Sequence, residues 1–282
     1  MKKVIALLLI LAMTVGMVAC TPKGDDSKLA LDKEGKGLCP VCNETVQWIK
    51  FDGSKMYFEV LDKKHFYLAE DLTYNEDMAA LVTTMPGGCV CFNLNGHTLT
   101  TGSRFQTIDQ SVTAAPDETS VFNLISNGGK VVYTGASNVT LYMFQHNEGF
   151  FNFYGGEYVT SFAEGVAVRE IIECSRKMTI QDATIKGDMY LDSIRSKVTI
   201  KGTTTVDGLI KLVFDERAHK EDYMVLFDNW SGKATLEVPE EWLVDGVLDP
   251  TRLSASGDFT GTLMLSTGEQ VVLSDGQLVV KK

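Results

Sequence analysis

After residue 90 the chain alternates apolar and polar residues in short runs that end in Gly, Asn or Asp, and helical periodicity is nearly absent. Five segments share one pattern of apolar, polar, apolar, any residue, turn-former: Phe92 to Gly96, Val131 to Gly135 (with Val132 at the polar position), Phe151 to Gly155, Met178 to Asp182 and Val198 to Gly202. Their second apolar residues, Leu94, Tyr133, Phe153, Ile180 and Ile200, are 39, 20, 27 and 20 residues apart. The long first step fits two repeats, with either Ile108 or Leu124 marking the missing one. A repeat of this length built only from strands and turns matches one coil of a parallel β-helix, whose coils stack at about 4.8 Å. Side chains alternate across a strand, so the apolar pair of each segment is expected inside and the residue between them outside. The predicted class is all-β, a single-stranded right-handed parallel β-helix over residues 88–220. An antiparallel sandwich alternates in the same way and is the competing reading.

The flanks differ from this body. Lys2 and Lys3 precede an apolar run from Val4 to Val18, which is about 15 residues, short of the roughly 20 that span a bilayer. Met17-Val18-Ala19-Cys20 resembles the lipobox of bacterial lipoproteins, with Met17 where leucine is usual; residues 1–20 are then a lipoprotein signal peptide and Cys20 the lipidated residue. The alternative is an ordinary cleaved signal with an incidental cysteine. Residues 21–37 read as a flexible tether and 38–87 as an N-terminal cap segment, in which Asn75, Met78, Leu81 and Val82 have the spacing of a short capped helix. Within 221–282, Thr262 to Ser266, Gln270 to Leu273 and Gln277 to Val280 are expected to form an antiparallel meander that caps the C-terminal end, its last turn an Asp275-Gly276 hairpin.

Composition narrows the function classes. Acidic residues outnumber basic ones 37 to 26, a net charge of −11, which repels phosphate backbones and argues against nucleic acid as a partner. A phosphate-cradling Gly-rich loop with lysine, a nucleophile elbow and a His-Glu-x-x-His helix are all missing from the sequence, so nucleotide and zinc-protease chemistry have no support.

Three stretches carry a family resemblance: His65 to Asp71, Cys91 to Leu99, and Phe153-Tyr154-Gly155-Gly156. Together with Cys39, Cys42 and Trp48 near the start and Asp275-Gly276 near the end, they resemble right-handed parallel β-helix, pectin-lyase-like surface lipoproteins of gut Firmicutes. The resemblance implies an exported protein, lipid-anchored to the outer face of the membrane at the cell surface, and raises polysaccharide cleavage as a possible activity.

Candidate chemistry falls into three groups. Val90, Phe92 and Leu94 are predicted to point inward, so Cys89 and Cys91 face outward together. With the Cys39-x-x-Cys42 knuckle they can converge on one tetrahedral ion, a structural Zn²⁺, or form disulfides in an oxidising compartment, or stay reduced. A bridge within Cys89-Val90-Cys91 is disfavoured, because an extended strand sets i and i+2 about 6.5 to 7 Å apart. His65 joins as a further ligand only if the flank folds back onto Cys89. For polysaccharide lyase or glycoside hydrolase chemistry the candidates are Asp182, Asp188, Asp192 and Asp207, with Arg176, Lys177 and Arg195 as bases; the opposing reading is an acidic face with turn-capping aspartates. For glycan binding the candidates are Tyr142, Asn152, Tyr154 and Tyr158, aromatic faces beside amides that suit a sugar ring, against ordinary packing. The expectation favoured by these residues is a non-catalytic binding or display module for glycans or host polymers. An enzyme and a purely structural surface protein are the alternatives.

Overall fold

The computed structural model describes residues 28–53, 63–74, 89–102, 105–107, 121–134, 144–146, 150–160, 170–174, 177–191, 197–212 and 224–281. These residues form long parallel sheets. One sheet has nine strands that follow one another in chain order: Ile49–Lys50, Lys63–Tyr67, Cys89–Asn93, Val121–Ile125, Phe150–Tyr154, Lys177–Gln181, Lys197–Gly202, Met224–Trp230 and Leu253–Ser256. Every adjacent pair in it is parallel. A second sheet takes the strand that follows in each pass, from Leu72–Tyr74 through Thr98–Thr101, Lys130–Tyr133, Glu157–Thr160, Thr184–Lys186, Thr205–Leu212 and Lys233–Glu237 to Thr262–Leu265, again all parallel. A third parallel ribbon, Phe105–Thr107, Phe144–His146, Glu170–Cys174 and Asp188–Leu191, merges into Thr205–Leu212. Among the described residues the long sheets are built of parallel strands, a connectivity compatible with a β-helix.

In-register stacking explains the core. Phe92, Leu124, Phe153, Ile180, Ile200 and Phe227 occupy one register position of the nine-stranded sheet and all are fully buried. Val90, Phe122, Phe151, Met178, Val198 and Val225 form the neighbouring column, also inside. Each such side chain contributes about 1.5 to 3 kcal/mol by leaving water, and the aromatic members add ring contacts such as Phe122 on Phe151 and Phe151 on Phe153, both at 4.7 Å between centroids. The residues between the columns, Cys91, Asn123, Asn152, Thr179, Thr199 and Leu226, lie on the other face, as the alternation requires.

The repeat itself needs two corrections. Leu124 is the register partner of Phe153 and fills the long first step, and its own partner is Phe92, so the first segment aligns through Phe92 and not through Leu94. Val131 to Tyr133 lies in the second sheet, where Tyr133 pairs with Thr101 and Thr160, so its pattern is that of another face of the same pass. Parallel pairing also extends past both limits of 88–220, from Ile49 to Leu265. The meander follows it: Thr262–Leu265, Gln270–Ser274 and Gln277–Val280 pair antiparallel, with Asp275 and Gly276 both at positive φ in the turn. Residues 75–82 of the expected short helix lie outside the described residues.

Candidate metal centre

Residues 28 to 48 fold over the outer face of the nine-stranded sheet. Lys36–Cys39 and Glu44–Gln47 make an antiparallel hairpin, and Cys39-Pro40-Val41-Cys42 opens its turn. The turn is closed by the Asn43 amide donating to the Cys39 carbonyl at 2.8 Å, with Asn43 at φ 55°, and the Cys42 amide donates to Cys39 Sγ at 3.4 Å. This knuckle sits above His65 and Cys91, which are register partners on adjacent rungs of the sheet. Trp48 seals the side: its ring meets His65 edge-on at 5.2 Å and its indole N–H donates to the Gly37 carbonyl at 3.2 Å. Cys39, Trp48, Cys91 and Ile125 form a buried cluster separate from the main core, so Cys91 does face outward, as its parity predicts, and is buried only because the hairpin covers it.

Sγ of Cys39, Cys42 and Cys91 and a ring nitrogen of His65 all lie within 4.8 Å of one another. Cys42 Sγ is 3.7 Å from Cys91 Sγ and 3.5 Å from His65 Nε2. A tetrahedral zinc, with Zn–S of about 2.3 Å and Zn–N of about 2.0 to 2.1 Å, sets S···S edges near about 3.8 Å and S···N edges near about 3.5 Å. The donor set and these two edges therefore fit one tetrahedral ion, and the Cys3His cluster could bind a metal. Among the described residues Cys39, Cys42, Cys89 and Cys91 are unbridged. His65, and not Cys89, is grouped with Cys39, Cys42 and Cys91. It stands one rung from Cys91, directly beneath the knuckle, whereas Cys89 is displaced two residues along the strand.

The protonation pattern agrees with the donor set. A hydrogen bond with Cys91 pulls the Cys39 thiol down to about 4 and the Cys42 thiol to about 7, and lowers Cys89 as well. The same hydrogen bonds to Cys39, Cys42 and Cys89 push Cys91 up. Burial lowers the His65 ring, but hydrogen bonds to Cys39 and Cys42 outweigh it and the net shift is upward. Thiolates gathered this closely repel one another, and a divalent cation among them removes the repulsion together with the last proton.

The sugar-facing and catalytic candidates are placed differently. Tyr158 is fully buried in the main core, its hydroxyl donating to the Gly155 carbonyl at 2.9 Å and its ring edge-on to Phe153 at 5.1 Å. The Gly155-Gly156 turn restarts the alternation, so Glu157 faces out between Lys130 and Lys186 and Tyr158 faces in. Tyr154 packs against the cysteine cluster, and burial followed by the nearby sulfurs pushes its hydroxyl up to about 12. Asn152 donates to Asn123 Oδ1 at 2.9 Å. Tyr142, Asp192, Arg176, Arg195 and Cys20 lie outside the described residues.

Asp182, at φ 54°, caps the next coil: its Oδ1 accepts from the Thr203 amide at 2.9 Å and the Thr203 hydroxyl at 3.2 Å. Gly202, at φ 60°, makes room for it, since a Cβ there would stand 2.0 Å from that oxygen. Asp188 is buried, accepts from the Leu209 amide at 2.8 Å and pairs with Lys211 at 2.9 Å. Asp207 is exposed, and the Lys177 ammonium lies over the Phe150 ring at 4.9 Å. No family model, no curated protein and no solved structure matches this chain.

Proposed function

We propose that the chain is a right-handed parallel β-helix, exported and lipid-anchored through Cys20, that serves at the cell surface as a non-catalytic binding or display module toward glycans or host polymers, with structural zinc locking its N-terminal cap. The observation that carries the zinc lock is the pair of close contacts at Cys42, which join a covering hairpin to the first rungs of the sheet. Asp182 and Asp188 spend their oxygens on backbone amides and a lysine, which favours binding over bond cleavage. Beyond the cap, the outer face continues as Thr179 and Thr199 in one column and Lys177 and Lys197 in the next, a row of hydroxyl and ammonium donors that suits a sugar polymer laid across the rungs, with the Lys177 ammonium over the Phe150 ring.

Two measurements test it. Metal analysis with thiol counting on the purified protein is expected to give one zinc per chain and no oxidised thiol among Cys39, Cys42 and Cys91. Glycan-array binding together with reducing-end release on pectins and host glycans is expected to give binding without release; release that disappears in Asp182→Asn would replace the module by a polysaccharide lyase or hydrolase.

A further inference from the structure

One outward column of the nine-stranded sheet runs His65, Cys91, Asn123, Asn152 at successive rungs. The first two members are the candidate ligands. The third is a buried amide whose environment is unusual: Asn123 Nδ2 donates to Cys91 Sγ at 3.5 Å and to Cys89 Sγ at 3.7 Å, while its Oδ1 accepts from Asn152 Nδ2 at 2.9 Å. Both amide hydrogens thus point at sulfur. The opposite flip would set the amide oxygen against electron-rich sulfurs, whereas the observed one lets Asn123 Oδ1 accept from Asn152.

We propose that Asn123 is a positioning residue of the metal centre, aiming and partly neutralising the Cys91 thiolate, and that Asn152 orients it from the next rung. This rests on the reading of Cys39, Cys42, His65 and Cys91 as metal ligands. An amide N–H directed at a metal-bound thiolate withdraws charge from the sulfur and fixes its lone pairs, which is the work that groups outside the ligand set do at metal sites. It also gives Asn152 a different occupation from sugar binding. The stacked register makes the arrangement possible: neighbouring rungs are about 4.8 Å apart, so one amide reaches the ligand on one side and its own orienter on the other.

The test uses the full-length protein in mild detergent, with Co²⁺ as a coloured substitute for zinc and with Asn123→Leu, Asn123→Asp and Asn152→Ala. Zinc affinity by chelator competition is expected to fall about 10- to 100-fold in Asn123→Leu. The fall is expected to be larger in Asn123→Asp, whose carboxylate meets the thiolates, and smaller in Asn152→Ala. The sulfur-to-cobalt charge-transfer band is expected to move to lower energy in Asn123→Leu and Asn152→Ala, because an unbonded thiolate gives up charge more readily. A band that stays in place, whatever the affinity, assigns Asn123 to packing alone and overturns the proposal. Should Asn123→Leu not fold, Asn152→Ala, which leaves Asn123 in place, carries the same readout. Wild-type protein that gives no thiolate band with Co²⁺ refutes the ligand set itself, whereas a wild-type band unchanged by the variants refutes only the role of the asparagines.

Discussion

Stripping the metal from the cap is the perturbation whose result follows most directly from the geometry. Among the described residues the covering segment has one hairpin, Lys36–Cys39 with Glu44–Gln47, four residues a strand, and an isolated two-stranded hairpin is marginal in water. Zinc present at about a thousand times its Kd adds about 4 kcal/mol to the bound form. With the cap melting together with the sheets, at about 2 to 4 °C per kcal/mol for a chain of about this size, chelation is expected to lower the melting temperature of the chain by roughly 8 to 16 °C. Trp48 reports the event, because it is 3% exposed when docked against His65 and enters solvent when the hairpin lifts. The other two tryptophans, Trp230 and Trp242, lie toward the C-terminal end, and subtracting a Trp48→Phe variant leaves the cap signal alone. Emission is expected to shift to the red on adding chelator and to return with zinc. Complete removal of metal with Trp48 still buried, or a melting shift below about 2 °C, would refute the clamp.

Further outcomes follow from the rungs. A Cβ at Gly232 would stand 1.7 Å from the Thr204 carbonyl oxygen, which also accepts the Trp230 indole N–H at 2.7 Å; Gly232→Ala is expected to cost about 2 to 6 kcal/mol through overpacking and a lost buried hydrogen bond, read from urea midpoints, and a cost under about 1 kcal/mol would contradict the packing. Hydrogen bonds from Lys130 and Lys186 hold the Glu157 carboxyl below the usual carboxylate value, so its contribution is present above that value and is lost as pH falls through the lowered folded one. Glu157→Gln is therefore expected to destabilise at pH 7 and to match wild type in strong acid, and an equal loss at both would sink the ion-pair account. Tyr158→Phe is expected to cost about 0.5 to 1.5 kcal/mol of stability while leaving glycan binding unchanged; loss of binding with stability intact would return Tyr158 to the surface.

Much of this was legible in the chain, and the limits have physical causes. Within a strand, parity is a local property: Val90 and Phe92 inside with Cys91 outside follows from alternation alone. The turn residues were equally readable, since Asn95-Gly96 and Asp275-Gly276 sit at positive φ where few other residues settle. Parity is lost at a turn that resets the backbone, which is why Tyr158 fell on the wrong face once Gly155-Gly156 intervened. His65 carried a usable signal, one that the cysteine spacing obscured: aligning Phe66 with Phe92 sets His65 opposite Cys91.

By itself, then, the sequence determined the strand period, the inner and outer residues of each run, and a set of soft ligands near the start. Tertiary structure decided which strands share a sheet, that Val131 to Tyr133 belongs to another face than Phe151 to Phe153, and that His65 instead of Cys89 stands beneath the knuckle. Alternation acts over two residues and is written into each strand, whereas rung pairing and the docking of the hairpin join positions dozens of residues apart through backbone hydrogen bonds, which any side chain permits and none announces.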